Sequence, residues 1–250
     1  QASAHEVTAV IPHLAWARQD RKTQSREPIT TKIVARMLES SKIARALLMD
    51  VHNLAAEQNA FDIPIDNLEG KKLFAEWCVE RLDPESPIVV LTPDAGGLSR
   101  ADRFRVTLMK LLKIKHQKSI NVGIAVYDKL RRPTGELSGG NIVGDVKDAQ
   151  TILLDDMIST AGTATQAGLK VKDFGGKLFA ICATHGLFVG KANSKIAQLD
   201  CPIVVADTVD AFRLTEENKK KLHIVDTTKI TADAIHRIHT GTGSISELLS

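Results

Sequence analysis

The 250 residues hold 33 Lys and Arg against 30 Asp and Glu, a net charge of +3, and only 4% are aromatic. That balance, without interleaved basic and aromatic residues, argues against nucleic acid as a partner, and no apolar run approaches the roughly 20 residues needed to span a bilayer. With no signal-peptide pattern, and with Cys78, Cys182 and Cys201 isolated and lacking metal-ligand spacing, the expectation is a cytoplasmic enzyme-sized α/β chain with buried free thiols and no membrane.

Val7 to Ile11 and Ala46 to Met49 read as short buried strands, and Ile29 to Ser40 between them has apolar residues at helical spacing. Leu73 to Arg81 is again helical. Apolar strands follow at Ile88 to Leu91, Val122 to Val126, Thr151 to Leu154, Leu178 to Ala183 and Ile203 to Ala206, and Ile230 to His239 is an amphipathic terminal helix. This rhythm predicts an α/β fold of mostly parallel sheets flanked by helices, with ligands at the carboxyl ends of strands. A domain boundary falls near Asn67 to Lys72.

The stretch from Thr151 to Thr163 is the most informative. An apolar strand ends in Asp155 and Asp156, then opens into Ser159, Thr160, Ala161, Gly162 and Thr163 before the helical composition of Ala164 to Val171. A helix N-terminus there offers free N–H groups and a partial positive charge to a phosphate. The two acids suit neutral sugar hydroxyls or a metal ion beside it. The plainer reading is a crossover with Thr163 as N-cap and two solvent-facing acids.

Other segments also carry two readings. Asp94-Ala95-Gly96-Gly97 after a strand is either a glycine turn or a loop whose amides approach a diphosphate while the carboxylate reaches Mg²⁺. His52, behind Asp50, is a structural histidine or a ligand. Arg18-Gln19-Asp20 is an exposed turn in a basic cluster that reads as a solvated face or a site for phosphate-rich small ligands, and Lys129 and Arg131, leading into Pro133, Gly135, Gly139 and Gly140, read as a solvated turn.

Together these segments resemble the ribose-phosphate pyrophosphokinase (PRPP synthetase) family, which has a phosphoribosyltransferase-like fold. The resemblance rests on Ala17 to Lys22, Ser25 to Thr30, Met49 to His52, Phe61 to Pro64, Pro93 to Gly97, Val143 to Val146, Asp155 to Thr163 and Thr184 to Phe188, all in the family's order. It implies two phosphoribosyltransferase-like domains, residues 1–70 joined by the C-terminal helix 230–250, and residues 71–229, with the active site between them. It also implies transfer of pyrophosphate from ATP to the anomeric hydroxyl of ribose 5-phosphate, with Mg²⁺ present.

By that resemblance Asp155 and Asp156 hold the ribose hydroxyls, and Ser159, Thr160, Ala161, Gly162 and Thr163 hold its 5-phosphate. Asp94, Ala95, Gly96 and Gly97 form the pyrophosphate loop. Arg18, Gln19, Asp20 and His52 contact ATP, His52 and Asp94 serve the metal, and Lys129 and Arg131 are catalytic. Lys22, Ser25 and Arg26, with the tail around Ser244 to Leu248, correspond to an interface site where phosphate activates and ADP inhibits, in dimers assembled to a hexamer.

Three departures bear on these expectations. The chain begins inside the family's first domain, so the family's N-terminal segment is not in the sequence. Ser159 stands where the family often has an acid, and Lys110 to Asn121 reads as an exposed insertion. A phosphoribosyltransferase and a non-catalytic regulatory subunit are the alternatives; the former has no need of Arg18 to Asp20, His52, Lys129 or Arg131.

Overall fold

The alternation of apolar strands and amphipathic helices folds as two α/β units, Gln1–Gly70 with Thr228–Ser250, and Lys71–Thr227. The computed structural model describes residues 3–131 and 137–249, apart from the side chains of residues 129–131 and 137–139. In chain order the elements are β1 (Thr8–Ile11), α1 (Thr30–Ser40), β2 (Arg45–Met49), α2 (Leu54–Ala60), β3 (Ile65–Leu68), α3 (Lys71–Val79), β4 (Ile88–Thr92) and α4 (Leu98–His116). They continue with β5 (Val122–Arg131), β6 (Leu137–Val143), β7 (Gln150–Ile158), α5 (Gly162–Asp173), β8 (Lys177–Gly186), α6 (Ala192–Ile196), β9 (Ile203–Ala206), α7 (Glu216–Lys219), β10 (Leu222–Val225) and α8 (Thr228–Thr240).

The first unit is a parallel sheet in the order β1-β2-β3. Because successive strand residues face opposite ways, β2 feeds two cores. Ala46 and Leu48 pack with Leu14, Ala17, Ala35 of α1 and Phe61 on one face. Leu47 and Met49 pack with Leu68 and with Ala234 of α8 on the other, where Ile230 and Ile238 add to the cover. The terminal helix therefore closes the sheet that the first strands open.

The second unit is a seven-stranded sheet, β10-β9-β8-β7-β4-β5-β6, parallel except for the antiparallel β5–β6 pair. Val89, Leu91, Leu153 and Ile181 pack toward Ala164, Ala167 and Val171 of α5. Val90, Ile152, Leu154 and Cys182 pack toward Phe74 and Cys78 of α3 and Phe104, Leu108 and Leu112 of α4. The three cysteines are buried and free, and burial pushes the Cys201 thiol up to about 12. Among the described residues no helix is long and apolar enough to cross a membrane.

Several local expectations change. Lys110 to Asn121, read as an exposed insertion, is mostly exposed but is helical as far as His116, the end of α4, where Leu112 is fully buried and Lys115 donates to the Val79 carbonyl at 3.0 Å. Apolar residues at helical spacing outweigh the lysines around them. Gly139 and Gly140, expected in a loop, lie in β6, with Gly140 opposite Lys129. A Cβ on Gly140 would sit 2.4 Å from the buried Tyr127 ring, so glycine here accommodates a close approach. Pro133 and Gly135 lie outside the described residues.

Candidate active site

Strand β7 lies between β8 and β4, buried on both faces, which is why Ile152, Leu153 and Leu154 follow one another without polar alternation. It does not end at its two acids. Pairing with β8 continues through Asp155↔Ala183, Met157↔His185 and Ile158↔Gly186, so both carboxylates stand inside the strand near its carboxyl end. Asp156 is only 3% exposed and Asp155 is half-buried, which removes the reading of two solvent-facing acids.

The pair is electrostatically strained. Burial, then the adjacent Asp156 carboxylate, holds the Asp155 carboxyl well above the usual carboxylate range, and Arg100 pulls the other way. One Asp155 oxygen accepts the Asp156 N–H at 2.9 Å. Arg100 Nη1 lies 3.9 Å from Asp156 Oδ1. Arg100 escaped the sequence reading, although a signal was present: it sits in the first turn of α4, where a cation opposes the helix dipole and needs an anion to compensate it.

The turn after β7 enters α5 through Ala161, in the left-handed region at φ 59°, with no side-chain cap. The cap is thus Ala161 rather than Thr163, which lies inside the helix. A left-handed alanine costs ~1 kcal/mol and leaves the first N–H groups of α5 without a side-chain acceptor. Ser159 is half-buried and Thr160 exposed. The turn is held from behind: Val189 N–H donates to the Ser159 carbonyl at 2.9 Å, and Leu187 and Phe188 donate to that of Ile158. Such an end accepts an anion.

Strand β4 is parallel to β7 in register from Ile88↔Gln150 to Leu91↔Leu153, so the two carboxyl ends emerge side by side. Beyond β4, Ala95–Gly97 forms a 3₁₀ turn into α4. Thr92 Oγ1 donates to the Asp94 carbonyl at 3.0 Å, and a Cβ on Gly97 would lie 2.1 Å from that hydroxyl. Glycine at 97 is what lets the turn close so tightly. Asp94 itself is exposed.

At the far side of β4, β5 carries Lys129 and Arg131 at its end, paired with Gly140 and Leu137 of β6. The two residues belong to a hairpin strand rather than a loop; their side chains lie outside the described residues.

The remaining expected residues are in the first unit. Arg18 and Gln19 are exposed, and Asp20, half-buried, accepts from Asn53 Nδ2 at 2.8 Å. His52 is exposed after β2, just ahead of α2. Lys22 and Arg26 line a cavity of about 390 Å³ with Glu27, Lys32, Ile33 and Arg36, to which Ser25 does not contribute. Thr23 N–H and Oγ1 and Gln24 N–H all donate to Glu27 Oε2, fixing the turn below the cavity and lowering the Glu27 pKa.

His52 and Asp94 belong to different units. Among the described residues no group of three or more His, Cys, Asp or Glu side chains could hold an ion. Any Mg²⁺ would take most of its ligands from phosphate oxygens and water, the usual pattern for that ion, and the exposed Asp94 carboxylate fits such a partly built site.

Comparison with known proteins bears on the whole chain. Residues 1–41 match the model of the N-terminal domain of ribose phosphate pyrophosphokinase, and residues 113–250 match a phosphoribosyl synthetase-associated domain. A ribose-phosphate pyrophosphokinase of Clostridium perfringens is 41% identical over 247 residues, covering 96% of this chain and 71% of the relative. One from Caldanaerobacter subterraneus is 36% identical over 251 residues, 100% of this chain and 74% of the relative. The crystal structure of phosphoribosylpyrophosphate synthetase from Mycobacterium smegmatis superposes with a TM-score of 0.82 at 29% identity, over 96% of this chain and 74% of that one. Sequence similarity and fold thus agree along nearly the full length, and the chain belongs to the ribose-phosphate pyrophosphokinase family.

Proposed function

We propose that this chain transfers the pyrophosphoryl group of ATP to the anomeric hydroxyl of ribose 5-phosphate, giving 5-phosphoribosyl 1-pyrophosphate and AMP. The observation that carries the reading is the neighbourhood of β4 and β7: a buried acid pair, an uncapped helix N-terminus and a tight glycine turn with an exposed acid leave adjacent parallel strands together. A diol, a monophosphate and a diphosphate are the ligands those three groups suit. A phosphoribosyltransferase would have no use for Arg18, Gln19, Asp20 and His52.

In this mechanism Asp155 and Asp156 accept the ribose hydroxyls, and the amides and hydroxyls of Ser159, Thr160, Ala161, Gly162 and Thr163 hold the 5-phosphate. Arg18 forks onto phosphate oxygens and Gln19 meets the nucleotide. The anomeric oxygen attacks the β-phosphorus; its bond to phosphorus forms as the bond from phosphorus to the α,β-bridging oxygen breaks, AMP departs, and the hydroxyl proton is released. Lys129 and Arg131 meet the charge that develops on the moving group, while Ala95, Gly96 and Gly97 hold the diphosphate. Mg²⁺ beside Asp94 and His52 would supply further charge neutralisation. The expected result is AMP formation from ATP that depends on ribose 5-phosphate; AMP released equally without the sugar, or none at all, overturns the assignment.

The two compact units serve as the enzyme's two domains, and the subunits pair into dimers and then a hexamer in the cytoplasm. Phosphate activates and ADP inhibits through the cavity that Lys22 and Arg26 line. Arg26→Ala should weaken ADP inhibition about tenfold while leaving activity at saturating phosphate intact, since a bond to a charged group contributes ~1.5–3 kcal/mol. ADP titrations of the two proteins check it, and unchanged inhibition removes Arg26 from the site.

A further inference from the structure

A carboxylate lies under the Arg18-Gln19-Asp20 turn and has no part in the mechanism above. Glu57 on α2 is fully buried, and Thr31, in the first turn of α1, donates its hydroxyl to both carboxylate oxygens, at 3.0 Å and 3.2 Å. Thr31 also donates its N–H to the Gln19 carbonyl at 3.3 Å, and Gln19 N–H donates to the Trp16 carbonyl at 2.8 Å. From the same helix α2, the N-cap Asn53 accepts the Ala56 N–H at 3.3 Å and donates to Asp20 Oδ2 at 2.8 Å. Ala17 and Leu14 root the turn in the core beside Ala35 and Phe61. The turn is thus gripped at two consecutive residues, at Gln19 through Thr31 and at Asp20 through Asn53.

A buried carboxylate is expensive where an apolar residue would do, so its presence calls for a directional task. Burial raises the Glu57 pKa, the Thr31 hydroxyl opposes that rise, and Asp20 and His52 are close enough to act on it in opposite senses. The charge therefore sits within electrostatic reach of two residues assigned to ATP.

We infer that Glu57 is a positioning residue for the nucleotide turn: by holding Thr31 it fixes the carbonyl-anchored segment from which Arg18 and Gln19 reach ATP. This rests on the assignment of Arg18 and Gln19 to the nucleotide. Glu57→Ala should raise KM for ATP about tenfold with KM for ribose 5-phosphate and kcat within about twofold, the size expected for one bond to a charged group. Glu57→Gln, whose amide oxygen still accepts from Thr31, should return KM for ATP to within about threefold of the parent.

Glu57→Ala opens a buried cavity, so the double replacement Glu57→Leu with Thr31→Val, which removes both polar partners at once, is measured beside it, with melting temperature recorded for each. The double variant should stay folded and show the same selective rise in KM for ATP. An unchanged KM for ATP in the double variant, or equal losses for both substrates, overturns the inference in favour of mere packing between α1 and α2. Arg18→Ala separates the two layers. If it raises KM for ATP while the Glu57 variants do not, the inference alone fails; if it too leaves KM for ATP unchanged, the nucleotide reading of the turn fails and the inference falls with it.

Discussion

Replacing Lys129 or Arg131 by Ala should lower kcat about a hundredfold or more while moving either KM by only a few fold, because groups that meet charge present only in the transition state act on turnover rather than on binding. Both residues stand at the end of β5, at the hairpin next to the strand that carries the Asp94 turn. A phosphoryl-transfer site has little covalent work for the protein, so cations brought to the moving group are expected to carry a large share of the rate. Steady-state kinetics with both substrates varied will decide it. If affinity falls and kcat does not, the hairpin is a binding element and the proposed roles of these two residues are wrong.

The second large effect is expected at the acid pair. Asp155→Asn should weaken use of ribose 5-phosphate about tenfold or more, since a hydroxyl that had donated to a carboxylate loses a bond of ~1.5–3 kcal/mol. Asp156→Asn should do the same and also free Arg100 from its partner. The fold should be spared, and for Asp155 the stability change has a definite sign. Its native pKa is raised by burial and by Asp156, so the folded state holds the proton more tightly than the unfolded chain. Stability contributed by that proton is full below the unfolded value of about 3.9 and is lost as pH climbs through the raised native pKa. Asp155→Asn escapes the loss. Its melting temperature, without substrate, should exceed the parent's at pH 7 to 8, with the gap closing as pH falls toward 4. Unchanged kinetics for both variants would sink the sugar assignment, and a pH-independent gap would remove the electrostatic account of the pair.

These effects also mark the division between what was readable in the chain and what was not. The run from Thr151 to Thr163 carries its chemistry contiguously: an apolar central strand, two acids and a small-residue turn at a helix start need no distant partner to be recognised. The glycine turn after β4 and the ordered motifs of the family are likewise local, and local patterns survive in a linear reading. By itself the sequence determined the α/β rhythm, the family and the contiguous stretch on which the proposed site rests.

Tertiary structure decided the rest, because burial and pairing depend on residues far apart in the chain. Lys110 to His116 reads as an unstructured insertion by composition, whereas packing of α3 beside α4 makes it helix and takes Leu112 into the core while its lysines stay exposed. Gly139 and Gly140 look like loop residues by propensity, yet both lie in β6, where Gly140 pairs with Lys129 of β5 and the Tyr127 ring fills the space its side chain would take. Glu57 is an ordinary helical acid in one dimension; only the approach of α1 puts Thr31 against it and seals it from water. Arg100 becomes a partner of Asp156 because β4 and β7 are neighbours, and the raised Asp155 pKa exists only once the sheet has closed around both acids. Charge and hydrogen-bonding capacity are written residue by residue, whereas the dielectric and the partners that give them a function appear only on folding.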